Sequence, residues 1–92
     1  MRYKAKTDTN QGEIVKALRH PALNCSVQIV AQCGNGVPDL LVGHNNKNYL
    51  MEVKGDKGKL TDDQVVWHRE WRGQVAVVRS ANEAVALINR ED

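Results

Sequence analysis

Residues 36–54 read GVPDLLVGHNNKNYLMEVK, and this stretch decides the fold. It contains two apolar segments, 39–42 and 49–53, separated by the polar residues 44–47. Short apolar segments bounded by Gly, Pro and Asn are typical of β-strands. Asparagine also tolerates the left-handed dihedral angles that a tight turn needs. The stretch therefore predicts an antiparallel hairpin that turns at Asn45-Asn46.

This hairpin turn determines which side chains face each other. It places Asp39 opposite Glu52, and opposed side chains project from one face with Cβ atoms roughly 4.5–5.5 Å apart. Lys54 lies two residues beyond Glu52 and therefore shares its face. A slip of one residue would move Asp39 to the other face. The sequence thus predicts two carboxylates and an amine at one end of the hairpin.

Two acids in otherwise apolar strands need a physical explanation. Ionised carboxylates in that position repel each other and lose hydration, and a divalent cation relieves both costs. Mg²⁺ binds through one or two carboxylates and keeps waters that can face a phosphate. Lys54 could orient the attacking water or offset the negative charge that develops on the phosphoryl group. Taken singly, an acid after Pro38 can be a turn residue, and Glu-x-Lys is common on solvated strands.

Capping boxes predict the starts of three helices. The pairs are Asn10 with Glu13, Thr61 with Gln64, and Ser80 with Glu83. The first helix is expected to end at His20-Pro21 and the second near Trp71. Apolar alternation over 26–33 and the apolar segment 74–78 predict two further strands, with a turn at 34–36. The predicted order is α-β-β-β-α-β-α, an α/β fold in one domain over residues 1–92.

The composition excludes several classes of protein. The 92 residues carry a formal net charge of only +2, which does not by itself indicate nucleic-acid binding. The two cysteines form no Cys-x-x-Cys pair, and the three histidines are scattered, so neither a disulfide framework nor a zinc site is expected. No apolar run is long enough to cross a membrane, and the basic N-terminus is followed by no apolar stretch. We expect a soluble cytoplasmic protein.

The ordered set of residues resembles the PD-(D/E)XK nuclease superfamily, and within it the VRR-NUC (virus-type replication-repair nuclease) branch. The resemblance extends from about residue 13 to residue 71. The residues that carry it are Glu13 in the first helix, Gly36-x-Pro38-Asp39, Glu52-x-Lys54, and Gln64 in the next helix.

This resemblance implies a restriction-endonuclease-like core, with a small mixed sheet flanked by helices. It implies Mg²⁺ or Mn²⁺ held by Asp39, Glu52 and the backbone carbonyl of Val53, with Lys54 beside the attacking water. Small members of this branch are similar to homodimeric, structure-specific endonucleases that cut branched DNA such as Holliday junctions. A role in DNA repair or phage recombination, inside a bacterium or a phage-infected host cell, would suit such a protein.

Four polar residues near this set have two readings each. Glu13 is either a further metal ligand or the partner of Asn10 in a capping box. Gln64 either orients substrate or water, or caps its helix with Thr61. Lys57 and Lys59 form either a flexible clamp on DNA phosphates or a solvated turn, and the glycines beside them would allow close backbone approach.

The second helix carries Trp67, His68 and Trp71 on the same face as Gln64. A tryptophan there could stack on an exposed base or line a dimer interface, but with no Phe in the chain at least one is expected in the core. His68 is expected to be an ordinary surface or capping residue. Two other functions stay open: a non-catalytic nucleic-acid-binding module on the same fold, and a structural dimerisation domain.

Overall fold

The computed structural model of the protein describes residues 5–90, with side chains from residue 10 onward, so Arg2 and Lys4 of the basic N-terminus lie outside the described part. Short 3₁₀ turns occupy Pro21–Leu23 and Ala31–Cys33. The helices and strands are α1 (Ala5–Leu18), β1 (Ser26–Ile29), β2 (Leu40–His44), β3 (Lys47–Val53), α2 (Asp62–Glu70), β4 (Ala76–Val78) and α3 (Ala81–Ile88). The predicted order α-β-β-β-α-β-α is confirmed. No helix in the described range is long and apolar enough to cross a membrane.

The four strands form one mixed sheet in the order β1-β2-β3-β4. The first three strands are antiparallel, and β4 runs parallel to β3 after the crossover through α2. Asn45 and Asn46 have φ angles of 52° and 67°, the left-handed geometry of a two-residue hairpin turn. Leu41 consequently pairs with Leu50, which is the predicted register.

The hydrophobic core fills the space between one face of the sheet and the helices α1 and α3. Alternate strand residues point into it, because successive side chains of a strand point to opposite faces. The buried apolar residues are Ile14, Val15, Leu18, Leu40, Val42, Met51, Val53, Val78, Ala84 and Ile88. Helix α2 contributes no buried residue. It lies across the opposite face, the face that carries Glu52.

The predicted start of the first helix near Asn10 is wrong, because α1 already includes Ala5. Asn10 therefore lies inside the helix and cannot act as its N-cap. Its side-chain Nδ2 instead donates a hydrogen bond of 2.8 Å to the backbone carbonyl of Lys54. A tertiary partner has replaced the local hydrogen bond that the sequence pattern indicated, and this bond ties α1 to the end of β3.

The other element ends differ from prediction where side chains or turns replace strand pairing. The first strand ends at Ile29 instead of residue 33, because the chain enters the 3₁₀ turn that leads to the loop before Asp39. The last strand begins at Ala76 instead of residue 74. Gln74 uses its side chain in place of its backbone: Oε1 accepts from the Leu50 N–H at 2.7 Å, and Nε2 donates to the Leu50 carbonyl at 3.1 Å.

The capping boxes of α2 and α3 have different outcomes. Thr61 and Gln64 form both reciprocal bonds, so this box is confirmed. Ser80 accepts from the backbone N–H of Glu83 at 3.1 Å, as predicted. The Glu83 carboxylate, however, accepts from the N–H of Arg79 at 2.8 Å, one residue before the cap. The third box is therefore only half formed.

Candidate active site

Asp39 and Glu52 lie next to each other because of the register of the β2–β3 hairpin. Leu40 pairs with Met51, and the N–H of Asp39 continues the ladder by donating to the Met51 carbonyl at 3.1 Å. The Asp39 carboxylate oxygen Oδ2 accepts from the N–H of Val53 at 2.8 Å. Asp39 therefore stands at the start of β2 with its side chain fixed against the end of β3, beside Glu52.

Glu52 is a buried carboxyl group with one oxygen left over. Its side chain is only 1% exposed. Oε2 accepts a hydrogen bond from Nε2 of Gln64 at 3.1 Å and lies 3.9 Å from Nζ of Lys54. Oε1 is buried and has no hydrogen-bond partner within the described residues. A buried polar oxygen without a partner is rare and costly, so this atom points to a missing ligand.

The surroundings of Glu52 raise its pKa to about 8. Burial is the largest cause, because it disfavours the charged form. The adjacent Asp39 carboxyl group raises the pKa of Glu52 further, and the positive charge of Lys54 opposes this rise. Burial and the adjacent acid therefore favour the protonated form of Glu52 in the metal-free protein, and a bound cation would favour the ionised form.

The residues present fit a divalent cation of the Mg²⁺ class. Two adjacent carboxyl groups, one with an unpartnered oxygen and a raised pKa, provide the charge and the free ligand atom that such an ion needs. In the range that the structure describes, no three His, Cys, Asp or Glu side chains converge as metal ligands. The donor set is thus two carboxylates with room for water and backbone oxygen, unlike a closed zinc site.

These groups line an open cleft of about 240 Å³. The cleft is bordered by Gln11, Ala31, Asp39, Glu52, Val53, Lys54 and Gln64. Four of the predicted site side chains therefore meet in one place, together with Val53, whose carbonyl was a predicted ligand. A phosphate group entering this cleft would meet the two acids and the Lys54 ammonium together.

The side chain of Gln64 makes two contacts, one with the helix cap and one with the buried acid. Its Oε1 accepts from the backbone N–H of Thr61 at 2.9 Å and completes the cap of α2. Its Nε2 donates to the Glu52 carboxylate. The cap is confirmed, and the same amide group also links the start of α2 to the buried acid; a role of Gln64 in orienting substrate or water stays a prediction.

Helix α1 contributes a different residue from the one predicted. Glu13 is exposed and is not among the residues that line the cleft. Gln11 lines it instead, and sequence reasoning missed this residue. A signal was present: Gln11 lies three positions before the buried Ile14 and seven before the buried Leu18, so it extends the inward face of α1 by one turn.

The glycine-bearing loop after Lys54 is held by Arg79, which the sequence analysis did not single out. Arg79 directly follows β4. Its guanidinium donates hydrogen bonds to the carbonyl oxygens of Gly55 and Gly58, the latter at 2.9 Å. This anchoring argues against a freely flexible clamp. Lys57 and Lys59 both have exposed side chains on this loop.

The aromatic face of α2 also differs from expectation. His68 is half-buried with its Nε2 unpartnered among the described residues, so it is less exposed than the surface or capping residue that the sequence predicted. Burial, followed by the charge of Lys54, lowers the pKa of His68. Neither Trp67 nor Trp71 belongs to the buried core. Both lie on the sheet face opposite that core, which is why the expectation of a core tryptophan is wrong.

A family model of the VRR-NUC domain matches residues 1–82 of the sequence. The chain belongs to the VRR-NUC family. It is also similar to a solved structure described as a VRR_NUC domain, with a TM-score of 0.72 and 26% sequence identity. That match covers 95% of this chain and 98% of the other. A search of curated proteins returned no match.

VRR-NUC domains are nuclease domains, which implies DNA as the substrate of this chain. The match to the solved VRR_NUC domain confirms the α/β fold with its mixed four-strand sheet and three helices. In this VRR-NUC chain, the cleft beside Asp39 and Glu52 is the place where acidic, basic and amide side chains converge.

Proposed function

We propose that this protein is a divalent-cation-dependent DNA endonuclease that hydrolyses phosphodiester bonds. The observation that carries the proposal is the buried Glu52 beside Asp39, with one carboxylate oxygen unpartnered and the Lys54 ammonium 3.9 Å from the other. Mg²⁺ or Mn²⁺, held by Asp39, Glu52 and the Val53 carbonyl, would lower the pKa of a bound water and polarise the phosphate.

The side chains have separate tasks in this proposal. The Val53 N–H fixes the Asp39 carboxylate, and the Gln64 amide fixes that of Glu52, so both acids are oriented before substrate arrives. Lys54 faces the phosphate, where its charge offsets the negative charge that grows as water attacks phosphorus. A phosphate ester bond breaks, and the products are an alcohol and a phosphate monoester. Glu13 is exposed and does not line the cleft, so it has no direct task in this proposal.

The substrate we propose is branched DNA, such as a Holliday junction, cut by a homodimer with two sites. Two active sites related by a two-fold axis suit a junction in which two strands must be cut. Lys57 and Lys59, exposed beside Lys54, would contact phosphates and add affinity that does not depend on sequence. This part of the proposal rests on the family resemblance and on that placement.

The test is cleavage of linear, flap, splayed and four-way DNA by the purified protein, with Mg²⁺, with Mn²⁺ and with chelator. We expect nicking that requires the metal, and a loss of at least about 10²-fold in Asp39→Asn and Glu52→Gln proteins. Both changes remove a charge and keep the shape of the side chain. Glu13→Gln serves as the matched control, since it changes an acid outside the cleft.

Undiminished cleavage in the Asp39→Asn and Glu52→Gln proteins would refute this site. Tight DNA binding without cleavage under any divalent ion would instead favour the non-catalytic binding module. The dimer is tested separately, by sedimentation of the free protein.

A further inference from the structure

A second cavity, of about 390 Å³, lies on the face of the sheet that carries Asp39 and Glu52. Its volume falls in the range of small-molecule sites. Its walls are largely apolar, with amide groups at the edge. The lining residues are Leu41, Asn48, Leu50, Trp71, Gly73 and Gln74.

The floor of this cavity continues directly from the catalytic cleft. Leu41 follows Asp39 by two residues, Leu50 precedes Glu52 by two, and the two leucines are paired. Residues two apart in a strand share a face and are separated by roughly 6.6–6.8 Å. One nucleotide of an extended DNA strand can span that distance. A strand whose phosphate sits between the acids would therefore carry a neighbouring base over the leucines.

Trp71 forms a fixed aromatic wall beside that floor. Its indole stacks on Trp67, with ring centroids 4.6 Å apart and an interplanar angle of 18°. Its Nε1 donates to the Gln74 carbonyl at 3.2 Å, yet the residue remains 45% exposed. The ring is thus held in position before any ligand arrives, which keeps the entropic cost of stacking low.

Gly73 keeps the space in front of this ring open. A Cβ atom at position 73 would lie 3.0 Å from Nε1 of Trp71 and 3.5 Å from its Cε2. Any larger side chain there would meet the indole and occupy part of the cavity. The cavity thus combines an open aromatic surface, an apolar floor and the exposed amide of Asn48.

We infer that this cavity binds an unpaired nucleobase of the DNA strand whose phosphate occupies the Asp39–Glu52 cleft. The inference rests on the proposed function. A flat base stacks on an aromatic ring whatever its identity, and this gives affinity without sequence preference. A base inside a regular duplex cannot reach the cavity, because it would first have to unpair and unstack. The cavity therefore selects phosphates next to unpaired or loosely paired nucleotides.

The experiment pairs a change in the DNA with a change in the protein. Cleavage rates are measured on a DNA with unpaired nucleotides, and on the same DNA with an abasic residue next to the cut phosphate. For the wild-type chain we expect the abasic residue to slow cleavage about tenfold. For Trp71→Ala we expect cleavage of the intact DNA to slow by a similar factor, with no further effect of the abasic residue. Trp71→Phe should restore most of the difference.

Two further variants separate the cavity from general effects. Gly73→Val fills the cavity and crowds the Trp71 indole without removing it, so it should slow cleavage and abolish the abasic effect as Trp71→Ala does. It provides an independent test if the Trp71→Ala protein folds poorly. Val65→Ala is the control. Val65 lies in α2, is 45% exposed and does not line the cavity, so this change should leave the abasic effect intact. Binding of both oligonucleotides is also measured in chelator by fluorescence anisotropy, where the abasic residue should weaken wild-type binding only.

The possible failures are distinguishable. No cleavage by the wild-type chain with any divalent ion overturns the proposed function, while the anisotropy comparison still decides the base site. Equal abasic effects in the wild-type and Trp71→Ala proteins overturn the base site alone. If a cavity variant dissociates a dimer and leaves the abasic effect unchanged, this surface binds a second copy of the chain. That outcome would also overturn the base site.

Discussion

Gln64 donates a hydrogen bond of 3.1 Å from its Nε2 to Oε2 of Glu52, across the space between α2 and β3. The same side chain completes the N-terminal cap of α2. The stability of a helix end and the orientation of a buried acid therefore depend on one amide. When Glu52 is ionised, as it would be around a bound cation, this bond is charge-assisted, and bonds of that class are worth about 1.5–3 kcal/mol.

Gln64→Ala should reduce both stability and cleavage, whereas Thr61→Ala should reduce stability alone. Each substitution breaks the capping box and should cost about 1 kcal/mol in the free energy of unfolding. Only the first leaves Glu52 without its donor, and we expect it to slow cleavage about tenfold. Chemical denaturation and single-turnover cleavage measure the two effects. Equal rates for the two variants would contradict a positioning role for Gln64.

The stability of the metal-free protein should fall as pH rises from about 4.5 to about 8. The pKa of Glu52 is about 8 in the folded protein and has its ordinary value of 4.5 in the unfolded chain. Over this window the folded state holds a proton that the unfolded state has released, so raising the pH favours unfolding. The loss should be on the order of a few kcal/mol.

Urea denaturation in chelator between pH 5 and pH 8.5 measures this slope. Glu52→Gln removes the titrating group and should flatten the curve, and saturating Mg²⁺ should oppose the loss at high pH. A wild-type stability that rises steadily through the window would show that Glu52 is ionised in the metal-free fold.

Gln11→Ala should impair cleavage more than Glu13→Ala. Gln11 lines the cleft, while Glu13 is exposed and does not line it. The Gln11 amide can contact phosphate or a metal-bound water, and we expect a loss of about tenfold in kcat/KM when it is removed. Steady-state kinetics at several Mg²⁺ concentrations would measure the effect. A larger loss in the Glu13 variant would favour the reading in which Glu13 is a further metal ligand.

Gly36→Ala should destabilise the fold, and Gly12→Ala should not. Gly36 has φ +84°, and a Cβ there would lie 2.5 Å from the Asp63 carbonyl oxygen of α2. We expect a cost of about 1–3 kcal/mol from this clash and from backbone strain. Gly12 lies inside α1 with nothing within 4 Å of its Cβ position, and alanine there should stabilise the helix by roughly 0.5–1 kcal/mol. Thermal melting of both proteins tests the contrast.

The parts of the site that depend on residues close in the chain could be predicted from the sequence. Asn45 and Asn46 tolerate left-handed dihedrals better than most residues, so the turn forms at this pair, sets the register and brings Asp39 beside Glu52. Thr61 and Gln64 likewise satisfy each other across three residues. These relationships involve neighbours in the chain, and a pattern of residue types is enough to reveal them.

Relationships between distant residues were not readable in the same way. The sequence spacing pairs Asn10 with Glu13 in a capping box. In the structure the Asn10 amide instead donates to the Lys54 carbonyl, which only the packing of α1 against β3 brings close. Arg79 holds the loop after Lys54 for the same reason. The choice between Gln11 and Glu13 depends on the rotation of α1 about its axis. That rotation is set by which residues the core buries, including Ile14 and Leu18.

The side chain of Gln74 has a consequence beyond the two hydrogen bonds it makes with Leu50. Those bonds occupy both backbone groups of Leu50 on the side of β3 where β4 has not yet begun. An exposed strand margin is a template for sheet growth between molecules, and proteins protect such margins against aggregation. The Gln74 side chain therefore takes the place of a strand residue. It blocks the Leu50 backbone groups to which a strand of a neighbouring molecule could otherwise pair.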